Sequence, residues 1–139
     1  MGMERTLHVN RYIVIADDDQ DDQEFLCEAL ERNEYEGVWR CVDDGNQLLH
    51  LLRSPSDNPP HLILLDLNMP FKDGYQALEE LKTDEQLKNI PVFVLTSSVN
   101  IADEQKCYKL GCDKFFRKPL TLVEYDQLAS ELVRFLETA

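Results

Sequence analysis

The 139-residue chain has no apolar run of about eighteen residues, the length a membrane-crossing helix requires. Its first ten residues lack the apolar stretch of a secretion signal, so the expected compartment is the cytoplasm. Positive charge is also scarce. Lys and Arg number 14 against 27 Asp and Glu, a formal net charge of −13, and no basic stripe offsets the excess. Such a field repels nucleic-acid phosphates, so nucleic-acid binding is not expected. The four cysteines, Cys27, Cys41, Cys107 and Cys112, form no C-x-x-C pair. They read as reduced, semi-buried thiols rather than a disulfide framework. His8, His50 and His61 lie on separate segments without metal-ligand spacing. The five glycines, Gly2, Gly37, Gly45, Gly74 and Gly111, form neither a G-x-G-x-x-G turn nor a phosphate-cradling Walker loop.

What is present is a regular alternation of short apolar runs and helical periods. Residues 12–16 form a β-branched run that reads as a strand, and an amphipathic helix follows over about 20–33, with Phe25, Leu26, Ala29 and Leu30 inward. Residues 38–42 alternate as a sheet-edge strand does. A short helix over 46–53 turns Leu48, Leu49 and Leu52 inward, and a Ser- and Pro-rich loop closes it. Leu62 to Leu65 is apolar without a break, as in a parallel strand buried on both faces, and residues 90–95 repeat that pattern. Helices are expected at about 75–82 and at 100–110, the latter stopped by Gly111. A fifth strand at 114–117 precedes a helix opened by a Thr121/Glu124 capping box, which buries Tyr125, Leu128, Leu132 and Phe135. Five β-α pairs in strict alternation predict a flavodoxin-like doubly wound (βα)5 fold, with a five-stranded parallel sheet in the order 2-1-3-4-5. We expect a single domain over 1–139, with a core at about 10–137 and a tail at 1–9.

In such a sheet, ligands bind at the carboxyl ends of the strands. Asp17 and Asp18 follow the first strand, Asp66 the third, Thr96 the fourth and Lys118 the fifth. Crowded carboxylates repel one another, by roughly 1 kcal/mol per pair at 4 Å in water and by more when half buried. A hard divalent cation such as Mg²⁺, or Mn²⁺ in its place, relieves that repulsion. Asp18 and Asp66 are the expected direct ligands, Asp17 acts mainly through water, and the Asn68 backbone carbonyl supplies a further oxygen. Asp66 is then the natural nucleophile for a phosphoryl group, giving an acyl phosphate. The cation and Lys118 neutralise phosphoryl oxygens while the Thr96 hydroxyl reaches another. A blander reading makes Asp17 and Asp18 helix N-caps. Asp19 is the better candidate for that role, with Asp21 and Asp22 complementing the helix dipole.

Taken in order, Asp17-Asp18, Asp66 within LILLDLNMP, Asp73-Gly74, Thr96-Ser97 and Lys118-Pro119 resemble the response-regulator receiver domain of two-component signalling, over residues 12–135. The resemblance implies a stand-alone, chemotaxis-regulator-like receiver phosphorylated on Asp66 by a sensor histidine kinase or a histidine phosphotransfer protein. Phytochrome-like kinases are among the partners such proteins have. It also implies that Thr96 moves toward the phosphoryl group and that Phe115, where the family often has Tyr, swings inward with it. The face of the fourth helix, fifth strand and fifth helix then changes for a downstream protein whose identity is not written here. In the family, the positions of Asn68 and Ser98 tune hydrolysis of the phosphoryl group, and Lys118-Pro119 is expected to be a cis peptide. A monomer or weak homodimer is expected, with no enzymatic activity beyond its own phosphorylation and dephosphorylation.

Two other classes compete. A haloacid-dehalogenase-like phosphatase also uses an Asp nucleophile, Mg²⁺ and Lys, but it needs a second Asp two residues after the first, and position 68 is Asn. A degenerate receiver acting only as a binding platform would lack some of the chemical positions, and all five are filled.

Overall fold

The uninterrupted run at 62–65 becomes the central strand of the sheet. The computed structural model describes residues 11–54 and 59–138. The expected tail at 1–9 with His8, and the middle of the Ser- and Pro-rich loop, lie outside the described residues. The strands are β1 (Tyr12–Ala16), β2 (Val38–Val42), β3 (Leu62–Asp66), β4 (Val92–Thr96) and β5 (Lys114–Arg117). Each is followed by a helix: α1 (Gln20–Arg32), α2 (Gly45–Arg53), α3 (Gly74–Thr83), α4 (Ile101–Leu110) and α5 (Leu122–Thr138). All neighbouring strands pair in parallel, in the order β2-β1-β3-β4-β5.

Alternation along the strands sends side chains to two cores. Val14, Ala16, Ile63, Leu65, Val92 and Val94 face α2, α3 and α4, packing on Leu48, Leu78, Leu81 and Cys107. Ile13, Ile15, Leu62, Leu64, Phe93 and Leu95 face α1 and α5, packing on Leu26, Leu30, Leu128 and Leu132. Burial on both faces is what makes β3 and β4 apolar up to their last residues, Asp66 and Thr96.

Several boundaries differ from the expectation. The fourth strand starts at Val92 rather than at residue 90, because Pro91 has no N–H to donate and the Ile90 N–H closes a turn onto the Leu87 carbonyl (3.0 Å). Phe25 is 40% exposed, leaning its ring on Tyr125 (5.6 Å between centroids) while Gln23 takes a buried place. Leu52 and Phe135 are half-buried at the margins of their cores. The capping box of α5 is displaced by one residue. The Glu124 N–H donates to the Thr121 hydroxyl (3.1 Å), but the Glu124 carboxylate accepts from the Leu120 N–H (2.7 Å). Asp19 caps α1 as expected, accepting from the Asp21 and Asp22 N–H groups (2.9 and 3.1 Å). Gly111 ends α4 in the left-handed region at φ 107°.

Gly74 sets the distance between α3 and the end of β3. Its N–H donates to the Leu67 carbonyl (2.9 Å), and a Cβ there would lie 2.4 Å from the Asp66 carbonyl oxygen and 2.5 Å from the Leu67 Cα. Both obstacles are backbone, so nothing can swing aside. Gly74→Ala is therefore expected to cost about 1–3 kcal/mol, the usual range for overpacking. A urea unfolding midpoint equal to that of the unmodified protein would contradict this account of the turn.

Candidate functional site

The site is assembled where β1, β3, β4 and β5 end. Asp17 directly continues β1: its N–H donates to the Val42 carbonyl (3.0 Å), extending the pairing with β2 by one residue. Its carboxylate turns back to accept the Asp19 N–H (2.9 Å), so the chain that caps α1 also fixes Asp17. Gln23 donates its amide to the Asp17 carbonyl and, at 3.4 Å, to the Val42 carbonyl. Asp17 is 3% exposed, whereas Asp18 beside it is open to solvent. Asp66, the last residue of β3, is also 3% exposed and accepts the Asn68 N–H (3.2 Å). Carboxylate oxygens of Asp17, Asp18 and Asp66 lie within 4.8 Å of one another.

Lys118 supplies the cation. Its N–H donates to the Thr96 carbonyl (2.8 Å), prolonging the β4–β5 pairing and aligning the two strand ends. Its ammonium lies 3.1 Å from Asp17, 3.2 Å from Asp66 and 2.8 Å from Asp22. No cis peptide occurs among the described residues, so the expected cis bond before Pro119 is corrected to trans, the form X–Pro bonds ordinarily prefer. The side chain reaches the pocket from the residue directly after β5 without it.

The electrostatics follow from burial. Loss of water pushes the Asp17 carboxyl up, to about 7, with Asp66 adding to the rise and the Asp19 N–H and Lys118 opposing it. Burial also raises Asp66, against Lys118 and the Asn68 N–H. For Lys118, burial disfavours the charge, but Asp22, Asp17 and Asp66 outweigh it and hold the ammonium protonated. One ammonium thus balances a pocket with more carboxylates than it can neutralise. A hard cation taking oxygen ligands fits the remaining donor set.

The other expected residues take different places. Thr96 is fully buried at the end of β4, its hydroxyl accepting the Ser98 N–H (3.2 Å). Phe115 is half-buried on β5, in register with Val94 and packed against the core on the α2–α3–α4 side. Asn68 is exposed in the loop after β3. Ser98 is turned toward α4, donating its hydroxyl to Asp103, which also accepts from the Tyr75 hydroxyl.

Asp22 is the residue that sequence reasoning missed. It sits in the first turn of α1, as a dipole-complementing acid should, yet its side chain points inward. Besides Lys118, it accepts the Tyr125 hydroxyl (3.1 Å), which reaches across from the first turn of α5. The signal was present. Asp22, Leu26 and Ala29 are spaced as one helical stripe, and so are Tyr125, Leu128 and Leu132. The first inward position of a helix that follows a strand lies at the strand's carboxyl end.

Comparison with known proteins agrees with this geometry. The family model for the response regulator receiver domain matches residues 13–130. The response regulator Rcp1 of Synechocystis sp. is 32% identical over 133 residues, covering 92% of this chain and 90% of its own length. A phosphorylated cyanobacterial phytochrome response regulator, RcpA, superposes with a TM-score of 0.85 at 33% identity, over 94% of this chain and 96% of that one. The Mn²⁺-bound form of Rcp1 gives 0.83 at 31% identity, over 93% and 96%. Receiver domains hold Mg²⁺ or Mn²⁺ in an acidic pocket of this kind, and they take part in two-component signalling with histidine kinases or phosphotransfer proteins. With the family model spanning most of its length and the acidic pocket at the expected strand ends, this chain belongs to the response regulator receiver family.

Proposed function

We propose that Asp66 accepts a phosphoryl group from a histidine of a sensor kinase or phosphotransfer protein. The P–N bond of the phosphohistidine breaks as a P–O bond forms to the Asp66 carboxylate, and the imidazole leaves. Asp17, Asp18, Asp66 and the Asn68 backbone carbonyl would hold Mg²⁺ or Mn²⁺. The ion when bound neutralises the carboxylates and the charge on the phosphoryl oxygens. Lys118 binds a phosphoryl oxygen, and the Thr96 hydroxyl exchanges its Ser98 N–H contact for another. Phe115 then follows Thr96, altering the α4–β5–α5 face that a downstream protein reads. In this reading residues 1–139 act as one cytoplasmic domain, monomeric or weakly dimeric, with no chemistry beyond gaining and losing its own phosphoryl group.

The convergence of three carboxylates and one ammonium is the observation that carries the reading. Exposed apolar residues give it further support. Phe71 is 86% exposed after β3, Leu120 is 91% exposed after β5, and Leu122 and Val123 follow Leu120. They edge the segments that flank the pocket with surface a docking protein can desolvate.

Incubation with acetyl phosphate and Mg²⁺ is expected to add one phosphoryl group, seen by intact-mass measurement, and Asp66→Asn to abolish it. An Asn variant that is labelled as fully as the parent would refute the assignment. A second expectation concerns pH. In the metal-free protein Asp17 titrates near 7, above the 3.8 of an ordinary Asp, so the folded state holds the extra proton between those values. Its contribution to stability is present below about 4 and lost as pH rises through 7. Metal binding requires the ionised form, so stabilisation by Mg²⁺ grows over the same interval. At a hundredfold excess over its Kd, the gain reaches about 2.7 kcal/mol. Thermal melts in EDTA and in Mg²⁺ at pH 5.5 and 7.5 check this, and an equal Mg²⁺-induced rise at both would count against it.

A further inference from the structure

Asp22 has so far been given only the role of an acid in the first turn of α1. It is not among the three carboxylates close enough to share a cation, yet it is the nearest carboxylate to the Lys118 ammonium, at 2.8 Å against 3.1 Å for Asp17 and 3.2 Å for Asp66. An ammonium has three donors and no more, and here three carboxylates take them. Asp17 and Asp66 are the two that a bound cation and a phosphoryl group would draw away. Asp22 is left as the ammonium's constant partner. Its own orientation is fixed at both ends: the Asp19 carboxylate holds its N–H (3.1 Å), and the buried Tyr125 hydroxyl holds its other oxygen (3.1 Å).

We infer that Asp22 is a positioning residue, which, braced by Tyr125 of α5, anchors the Lys118 ammonium beside Asp66 for its contact with the phosphoryl group. The inference rests on the reading of Asp66 and Lys118 given above. A carboxylate this close to an incoming anion also repels it. Anchoring and repulsion predict opposite signs, so the two separate cleanly. The Tyr125 contact makes α5 part of the same unit, since its hydroxyl can hold Asp22 only while the first turns of α1 and α5 stay in place.

Beryllofluoride, a phosphoryl mimic, serves as the probe, with its Kd measured by calorimetry in saturating Mg²⁺. Asp22→Asn is expected to weaken binding about tenfold, in line with loss of a hydrogen bond between charged groups. Tyr125→Phe is expected to weaken it about threefold. In a Lys118→Ala background, Asp22→Asn is expected to change the Kd by less than twofold, because the group it positions is gone. Tighter binding by Asp22→Asn in both backgrounds would mean that repulsion dominates and would overturn the inference. So would a lowered melting temperature with an unchanged Kd, which assigns Asp22 to the fold alone. If the unmodified protein binds no beryllofluoride, the reading of Asp66 falls first and this inference with it. Binding by the unmodified protein that Asp22→Asn leaves unaltered removes only the role of Asp22.

Discussion

The balance between one ammonium and a surplus of buried carboxylates governs the carboxyl edge of this sheet. Asp17 and Asp66 are withdrawn from water by the same strands that build the core, and Lys118 is the cation that lies among them. Removing it would take away the one charge that, beside the Asp19 and Asn68 N–H groups, offsets their desolvation. Its attachment is correspondingly rigid: the backbone N–H of Lys118 is bonded to the Thr96 carbonyl, so the side chain enters the pocket from the last rung of the β4–β5 pairing. The strands thus deliver both signs of charge to one place, and the parallel topology is what brings all the ends to the same edge.

How much of this was legible depends on whether the cause is local. Strands buried on both faces must be apolar throughout, so β3 and β4 stand out in the sequence, and a carboxylate or hydroxyl directly after such a run is conspicuous. Asp17, Asp66 and Thr96 were placed at strand ends that way, and Lys118 as the residue after the short fifth strand. Asp19 was legible as a cap because its partners are two and three residues away. Asp22 was not, for the opposite reason. Local rules already give an acid in a first helical turn a sufficient purpose, and its real partners lie 96 and 103 positions further along the chain. The start of β4 was misplaced because an apolar pattern does not register that Pro91 lacks a donor. Phe25 was placed inside on periodicity alone, whereas the buried residue is Gln23, whose amide donates to the Asp17 carbonyl.

Hydrogen bonds link the site to the surface in two directions among the described residues. Toward α5, the path is Lys118, Asp22 and Tyr125. Toward α4, Thr96 holds the Ser98 N–H, and the Ser98 hydroxyl donates to Asp103, which also takes the Tyr75 hydroxyl from α3. Lys106 lies over the Tyr75 ring at 4.1 Å. Together the Ser98 and Tyr75 hydrogen bonds hold the Asp103 carboxyl below the usual range, so it stays an acceptor under ordinary conditions.

Saturation of these contacts bears on how the domain can respond. A Thr96 hydroxyl that turned toward Asp66 would give up the Ser98 N–H, and Ser98 is tied through Asp103 to two helices. A rotation of Thr96 that moved its oxygen away from Ser98 would therefore release an N–H now held at 3.2 Å. Packed interiors with discrete alternative pairings behave as switches, not springs. Gly74 reinforces this. Its close approach to the Asp66 carbonyl fixes the backbone at the end of β3, while Phe115 on β5 is only half-buried.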